Sequence, residues 1–150
     1  MFYRDQNDKS SILKGVQIDE PMIFVPWDID EIGFVGMFGN CNVAIVAEKN
    51  YMIKGATIWG EHHCNIGVVF DKRICKISVS RDNYEGYDDY VKSFEGFQAA
   101  LTRNFGQATK HEKSFADFKN SIWEISQSIT IRHYIIERFC FEEHLYIEHV

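Results

Sequence analysis

The 150 residues carry 45% hydrophobic and 15% aromatic side chains with only two prolines, which excludes a disordered or fibrous chain and fits one packed domain. A net charge of −6 argues against a general nucleic-acid binder, because phosphate contacts draw on Lys and Arg. Nearly all of the imbalance lies in residues 1–90, with fourteen acidic against nine basic side chains.

The opening residues, MFYRDQNDKSSILKG, are polar and read as loosely held, without the apolar core of a signal peptide. No stretch reaches the roughly 18–20 apolar residues of a membrane helix, so a cytoplasmic location is expected. Cys41, Cys64, Cys75 and Cys140 then read as reduced, mostly structural thiols. MIFV (22–25) predicts a short strand, confined to an edge or a sheet end by Pro21 and Pro26. Glycines 33, 36 and 39 punctuate IGFVGMFGN and predict bends; their spacing matches no phosphate-binding loop.

A β-rich run follows, with strands at 42–48, 51–59, 65–70 and 73–80. The last two form a hairpin with Asp71-Lys72 at its turn. Strict alternation would put Ile74, Lys76, Ser78 and Ser80 on one face and Cys75, Ile77 and Val79 on the other. Tyr87 to Phe105 has helical spacing through Val91, Phe94, Phe97 or Gln98, and Leu101, with Gly106 placed to stop it. Gly96 inside this helix suggests close packing against a strand. A polar connector (110–113) and a short helical turn at 114–120 lead to strands at 121–126, 129–139 and 144–150, with turns near Gln127-Ser128 and Glu142-Glu143. The resulting class is α+β: a largely antiparallel sheet with one main amphipathic helix on one face, in a single domain (1–150).

Glu61-His62-His63-Cys64 is the sharpest chemical cluster, since all three residue types ligate metals and His also serves as acid or base. On an extended segment each side offers only two ligands, and no close second pair completes a zinc site. The expected reading is a polar turn with no metal and no cofactor; a small enzyme or a ligand- or metal-binding domain built on these four residues is the alternative. Neither a nucleophile elbow nor another nucleophile context selects a catalytic Cys–His pair. His133, His144 and His149 alternate with hydrophobic neighbours and read as sheet-surface or satisfied core residues.

Two tracts lack Lys and Arg, residues 19–31 and 82–90. In them Trp27 stands beside Asp28, Asp30 and Glu31, while Tyr84, Tyr87 and Tyr90 alternate with Glu85, Asp88 and Asp89. Rings interleaved with carboxylates suit a face for a basic partner, the rings anchoring and the charges steering. The candidate partner-binding residues are therefore Trp27, Asp28, Asp30, Glu31, Tyr84, Glu85, Tyr87, Asp88 and Asp89, weighed against a solvated helix start plus an acidic loop.

The succession F-x-x-x-L-x-x-x-F-G (97–106), a polar connector, W-E-I (123–125), an Ile-rich strand, E-R-F (137–139) and a final strand resembles a pattern found in small bacterial α+β proteins, among them immunity proteins encoded beside secreted or contact-dependent toxins. The likeness spans residues 65–150 and rests on core and turn positions, so it transfers no functional residue. It implies a cytoplasmic, non-catalytic inhibitor that neutralises one cognate toxin by direct binding. The acidity of the chain suits a basic toxin, such as a nuclease.

Overall fold

A computed structural model describes residues 9–38, 43–81, 87–112, 120–137 and 141–150. Among them, eight strands form one antiparallel sheet in the order β3-β4-β5-β6-β10-β9-β8-β7. These are β3 (Val43–Ala47), β4 (Asn50–Ile58), β5 (Glu61–Asp71), β6 (Arg73–Arg81), β7 (Lys110–Glu112), β8 (Asn120–Glu124), β9 (Ile129–Glu137) and β10 (Phe141–His149). Four strands meander from one edge to the middle. The chain then crosses in α2 (Tyr87–Phe105), starts again at the far edge, and meanders back until β10 pairs with β6.

Helix α2 has the expected bounds, and its stop is physical. Gly106 adopts φ +79, a left-handed value that glycine takes without a steric penalty, and its N–H bonds back to the Thr102 carbonyl at 2.8 Å. Phe94, Phe97, Ala100, Leu101 and Phe105 are buried against the sheet. On β9 the inward face is Ile129, Ile131, His133 and Ile135, and on β10 it is Leu145 and Ile147. The close approach expected at Gly96 is present: a Cβ there would collide with the Glu61 carboxylate, which passes over the helix at this point.

Several expectations are corrected. The start of the chain is not loosely held from Lys9 onward, since a 3-10 turn (Ser11–Leu13) buries Ile12 completely and leads into β1 (Gly15–Ile18). Among the described residues β1 pairs with β2 (Ile23–Pro26), the strand expected at 22–25, in a separate two-stranded sheet. The glycine-punctuated stretch is a helix, α1 (Glu31–Met37), because Asp30 caps it through Gly33 N–H at 2.7 Å, and Phe34 and Phe38, four apart, bury on one side.

The alternation expected in β6 breaks at Cys75, where Val69 pairs with Lys76 and Phe70 with Ile74; this bulge puts Ile74 in the core with Ile77 and Val79. Residues 110–112 form edge strand β7 rather than a connector, and Glu142-Glu143 lies inside β10. The helical turn expected at 114–120 falls outside the described residues, except Asn120, which begins β8.

Candidate protein-binding face

Two arrangements stand out. One is a chain of polar side chains beneath α2. His133, with no exposure, has Nε2 2.6 Å from Glu143 Oε2 and Nδ1 2.7 Å from Gln98 Nε2. The amide donates to Nδ1, so the proton sits on Nε2 and is donated to the carboxylate. Ser93 Oγ donates to the other Glu143 oxygen and accepts from Arg81 Nε at 3.0 Å. Arg81 continues to Glu61 at 3.0 Å and lies 4.1 Å from the centroid of the Phe97 ring. At the far end Ser121 Oγ donates to Gln98 Oε1 at 3.4 Å and meets His111 Nδ1 at 3.1 Å. Burial pushes the His133 pKa below its ordinary value, the Arg81 charge adds to this, and Glu143 opposes it.

Ser, Glu and His thus meet, but in the wrong order for nucleophilic catalysis. A base must take the serine proton and be oriented by the acid, whereas here Glu143 sits between Ser93 and His133. The side chains of His133 and Glu143 are 0% and 1% exposed, which closes the pair to a substrate. What the arrangement does chemically is satisfy buried polar groups and fix how α2 sits on β9 and β10.

The Glu61–Cys64 cluster is taken apart by the fold. It opens β5 rather than forming a turn, and a left-handed residue, His63 (φ 55), interrupts the alternation. Glu61 belongs to the Arg81 pair, and His62 Nδ1 lies 3.0 Å from Thr57 Oγ1. Cys64 is buried, its thiol directed at the carbonyls of Glu61 and His62. Among the described residues no group of three or more His, Cys, Asp or Glu side chains is placed to hold a metal.

The second arrangement lies at the β3 edge. Of the acidic–aromatic residues expected to form one face, Trp27 is not a surface ring. It is 3% exposed, donates from Nε1 to the Ile12 carbonyl at 2.7 Å, and stacks on His149 with centroids 4.9 Å apart. It therefore anchors the N-terminal segment to the end of β10. Asp28 and Asp30 are exposed at the start of α1, and Glu31 accepts from Tyr51 Oη of β4 at 2.8 Å, which raises the Tyr51 pKa. Tyr84 and Glu85 lie outside the described residues, as do the side chains of Tyr87, Asp88 and Asp89.

Beside these carboxylates stand apolar side chains that sequence reasoning missed. On α1, Ile32 is 85% exposed and Val35 47%; on β3, Ile45 is 76% exposed and Val46 61%. The two groups belong to one region: Ile45 pairs across the ladder with Tyr51, Tyr51 holds Glu31, and Phe34 packs on Tyr51 at 5.4 Å. A signal existed in IGFVGMF. Once Asp30 is taken as a cap, Phe34 and Phe38 define the inner side and leave Ile32 and Val35 outside. No family model, curated protein or solved structure matches the chain.

Proposed function

We propose that the chain is a non-catalytic binding protein of the immunity type, which neutralises a cognate basic bacterial toxin, a nuclease being the natural class, by direct binding in the cytoplasm. The observation that carries this reading is the pairing of exposed apolar side chains on α1, Ile32 above all, with Asp28, Asp30 and Glu31 at the start of the same helix. Apolar groups that lose water on docking supply affinity, while carboxylates around them accelerate encounter with a cationic surface and reject acidic ones. The chain-wide charge of −6 favours the same partner. No helix among the described residues is long and apolar enough to cross a membrane.

The test takes the product of the gene adjacent to this one, purified, and measures association at two salt concentrations. Binding should be tight, and Ile32→Asp should weaken it at least tenfold through faster dissociation. Asp28→Asn with Glu31→Gln should slow association and flatten its salt dependence. A neighbour that does not bind, or whose toxicity is unchanged by co-expression, would overturn the proposal.

A further inference from the structure

We propose that Tyr51 is the positioning residue of α1: its hydroxyl holds the Glu31 carboxylate against the sheet and thereby keeps Ile32 turned to solvent as a binding side chain, a role that rests on α1 being the docking surface. Glu31, Phe34 and Phe38 follow a spacing of three and four, so they share one side of the helix. That side faces the protein, with Phe34 and Phe38 buried and Glu31 half-buried. Ile32 and Val35, with Gly36, take the other side and are exposed. A carboxylate is thus turned inward at the position next to an isoleucine left in water. Hydrophobic partition favours the reverse, and successive helical residues point about 100° apart, so a rotation of the first turn by that angle would exchange the two.

What holds the inward carboxylate stands on β4. Tyr51 Oη donates to Glu31 Oε2 at 2.8 Å, and this bond pushes the Tyr51 pKa above its ordinary value. The donor is itself firmly placed. The Tyr51 ring packs on Phe34, with centroids 5.4 Å apart, and edge-on to Phe70 at 5.7 Å. A hydrogen bond to an ionised group is among the stronger kinds, and here it is offered from a strand inside the ladder. The helix needs such a tie. At seven residues α1 is shorter than the roughly 12–15 below which isolated helices are marginal in water, and Gly33 and Gly36 weaken it further. The Asp30 cap fixes where the helix starts, and Phe34 and Phe38 fix which line of it meets the core. The bond from Tyr51 sets the first turn, where Ile32 lies.

Tyr51→Phe tests this, since it keeps the ring on Phe34 and Phe70 and removes only the hydroxyl. Exchange of the Phe34 and Phe38 amides, which bond to the carbonyls of Asp30 and Phe34, should quicken about tenfold, while amides of β9 and β10 keep their parent rates. The Ile32 methyls should gain nuclear Overhauser contacts to buried aromatic rings. Glu31→Gln, which keeps an acceptor for Tyr51, should retain most of the protection of α1 and slow association with the product of the adjacent gene. Tyr51→Phe keeps the charge, so it should leave the salt dependence of association as in the parent and speed dissociation roughly tenfold. Parent exchange rates in α1, a loss of protection spread over the whole sheet, Glu31→Gln matching Tyr51→Phe in exchange, or an unchanged dissociation rate would each overturn the proposal. A neighbour that does not bind the parent chain would overturn the docking role of α1, and with it Tyr51 as a binding-site residue, whereas the exchange rates alone decide the tie between Tyr51 and Glu31.

Discussion

Beneath α2 the protein buries polar side chains, and at the β3 edge it exposes apolar ones. Each reverses the usual partition, and each is informative because it is costly unless something compensates. In the first region the compensation is internal. His133, Glu143, Gln98, Ser93 and Arg81 bond to one another, with Glu61 and Ser121 extending the chain at its two ends, so these groups find their partners within the protein. In the second it is not, since Ile32 and Ile45 meet mainly water. The lesson is that the most conspicuous chemistry is used up inside the protein, while the surface proposed for binding is plain aliphatic.

The sharpest way to break this comparison is to remove one member of the buried network. His133→Leu removes the imidazole donor from the Glu143 carboxylate, whose side chain is 1% exposed, and should cost about 3 kcal/mol by urea denaturation, as loss of a buried hydrogen-bond partner to a charged group does. Replacing both, His133→Leu with Glu143→Leu, should recover a substantial part of that loss, because two apolar groups need no partner. Equal losses in the single and double variants would show that shape, not polar satisfaction, holds the site.

A smaller effect follows from titration. His133, facing Glu143, Gln98 and the Arg81 charge, and His149, against Trp27 and near Arg73, both have pKa values lowered by burial. The folded state thus binds fewer protons than the unfolded chain, whose histidines titrate near about 6.5. Stability from these groups is complete above that pH. It declines as pH falls through about 6.5, and the decline ends once the folded-state values are passed. Urea midpoints between about pH 5 and 8 should show the slope, and His149→Phe, which keeps a ring on Trp27, should reduce it. A midpoint that rises on acidification across this window would contradict the assignment.

The helix on the sheet was legible in the sequence because a period of three to four over nineteen residues leaves little choice of face. The strands were legible from β-branched runs. Their order was not, since nothing local says that β10 pairs with β6; that pairing is long-range. The bulge at Cys75 breaks strict alternation, and in α1 the glycines at 33 and 36 mask the helix that the Asp30 cap starts. Trp27 shows the limit of composition most clearly. A ring among carboxylates looked like a surface anchor, but the hydrogen bond to Ile12 and the stack on His149 come from residues 15 positions before it and from the last strand. Exposure of Ile32 and Ile45 was equally hidden, because an apolar residue carries no local mark of having been left outside.

The smallest expected effect separates the two regions most cleanly. Ile32 and Phe34 sit two positions apart on the same short helix, one 85% exposed and the other fully buried among Phe38, Tyr51 and Phe70. Phe34→Ala should cost about 3–5 kcal/mol, since it empties a packed aromatic site. Ile32→Ala should change stability by less than about 0.5 kcal/mol, as surface substitutions do. If the proposed toxin partner docks on α1, the same Ile32→Ala change should nonetheless weaken its binding, because a side chain that contributes little to the folded state has its apolar area still to bury. The thermodynamic cycle needs only unfolding curves for the two variants and dissociation rates for the complex. If Ile32→Ala costs as much as Phe34→Ala, α1 is packed on both sides and is no docking surface. If it is silent in both stability and binding, its exposure belongs with the scattered apolar residues that every protein surface carries.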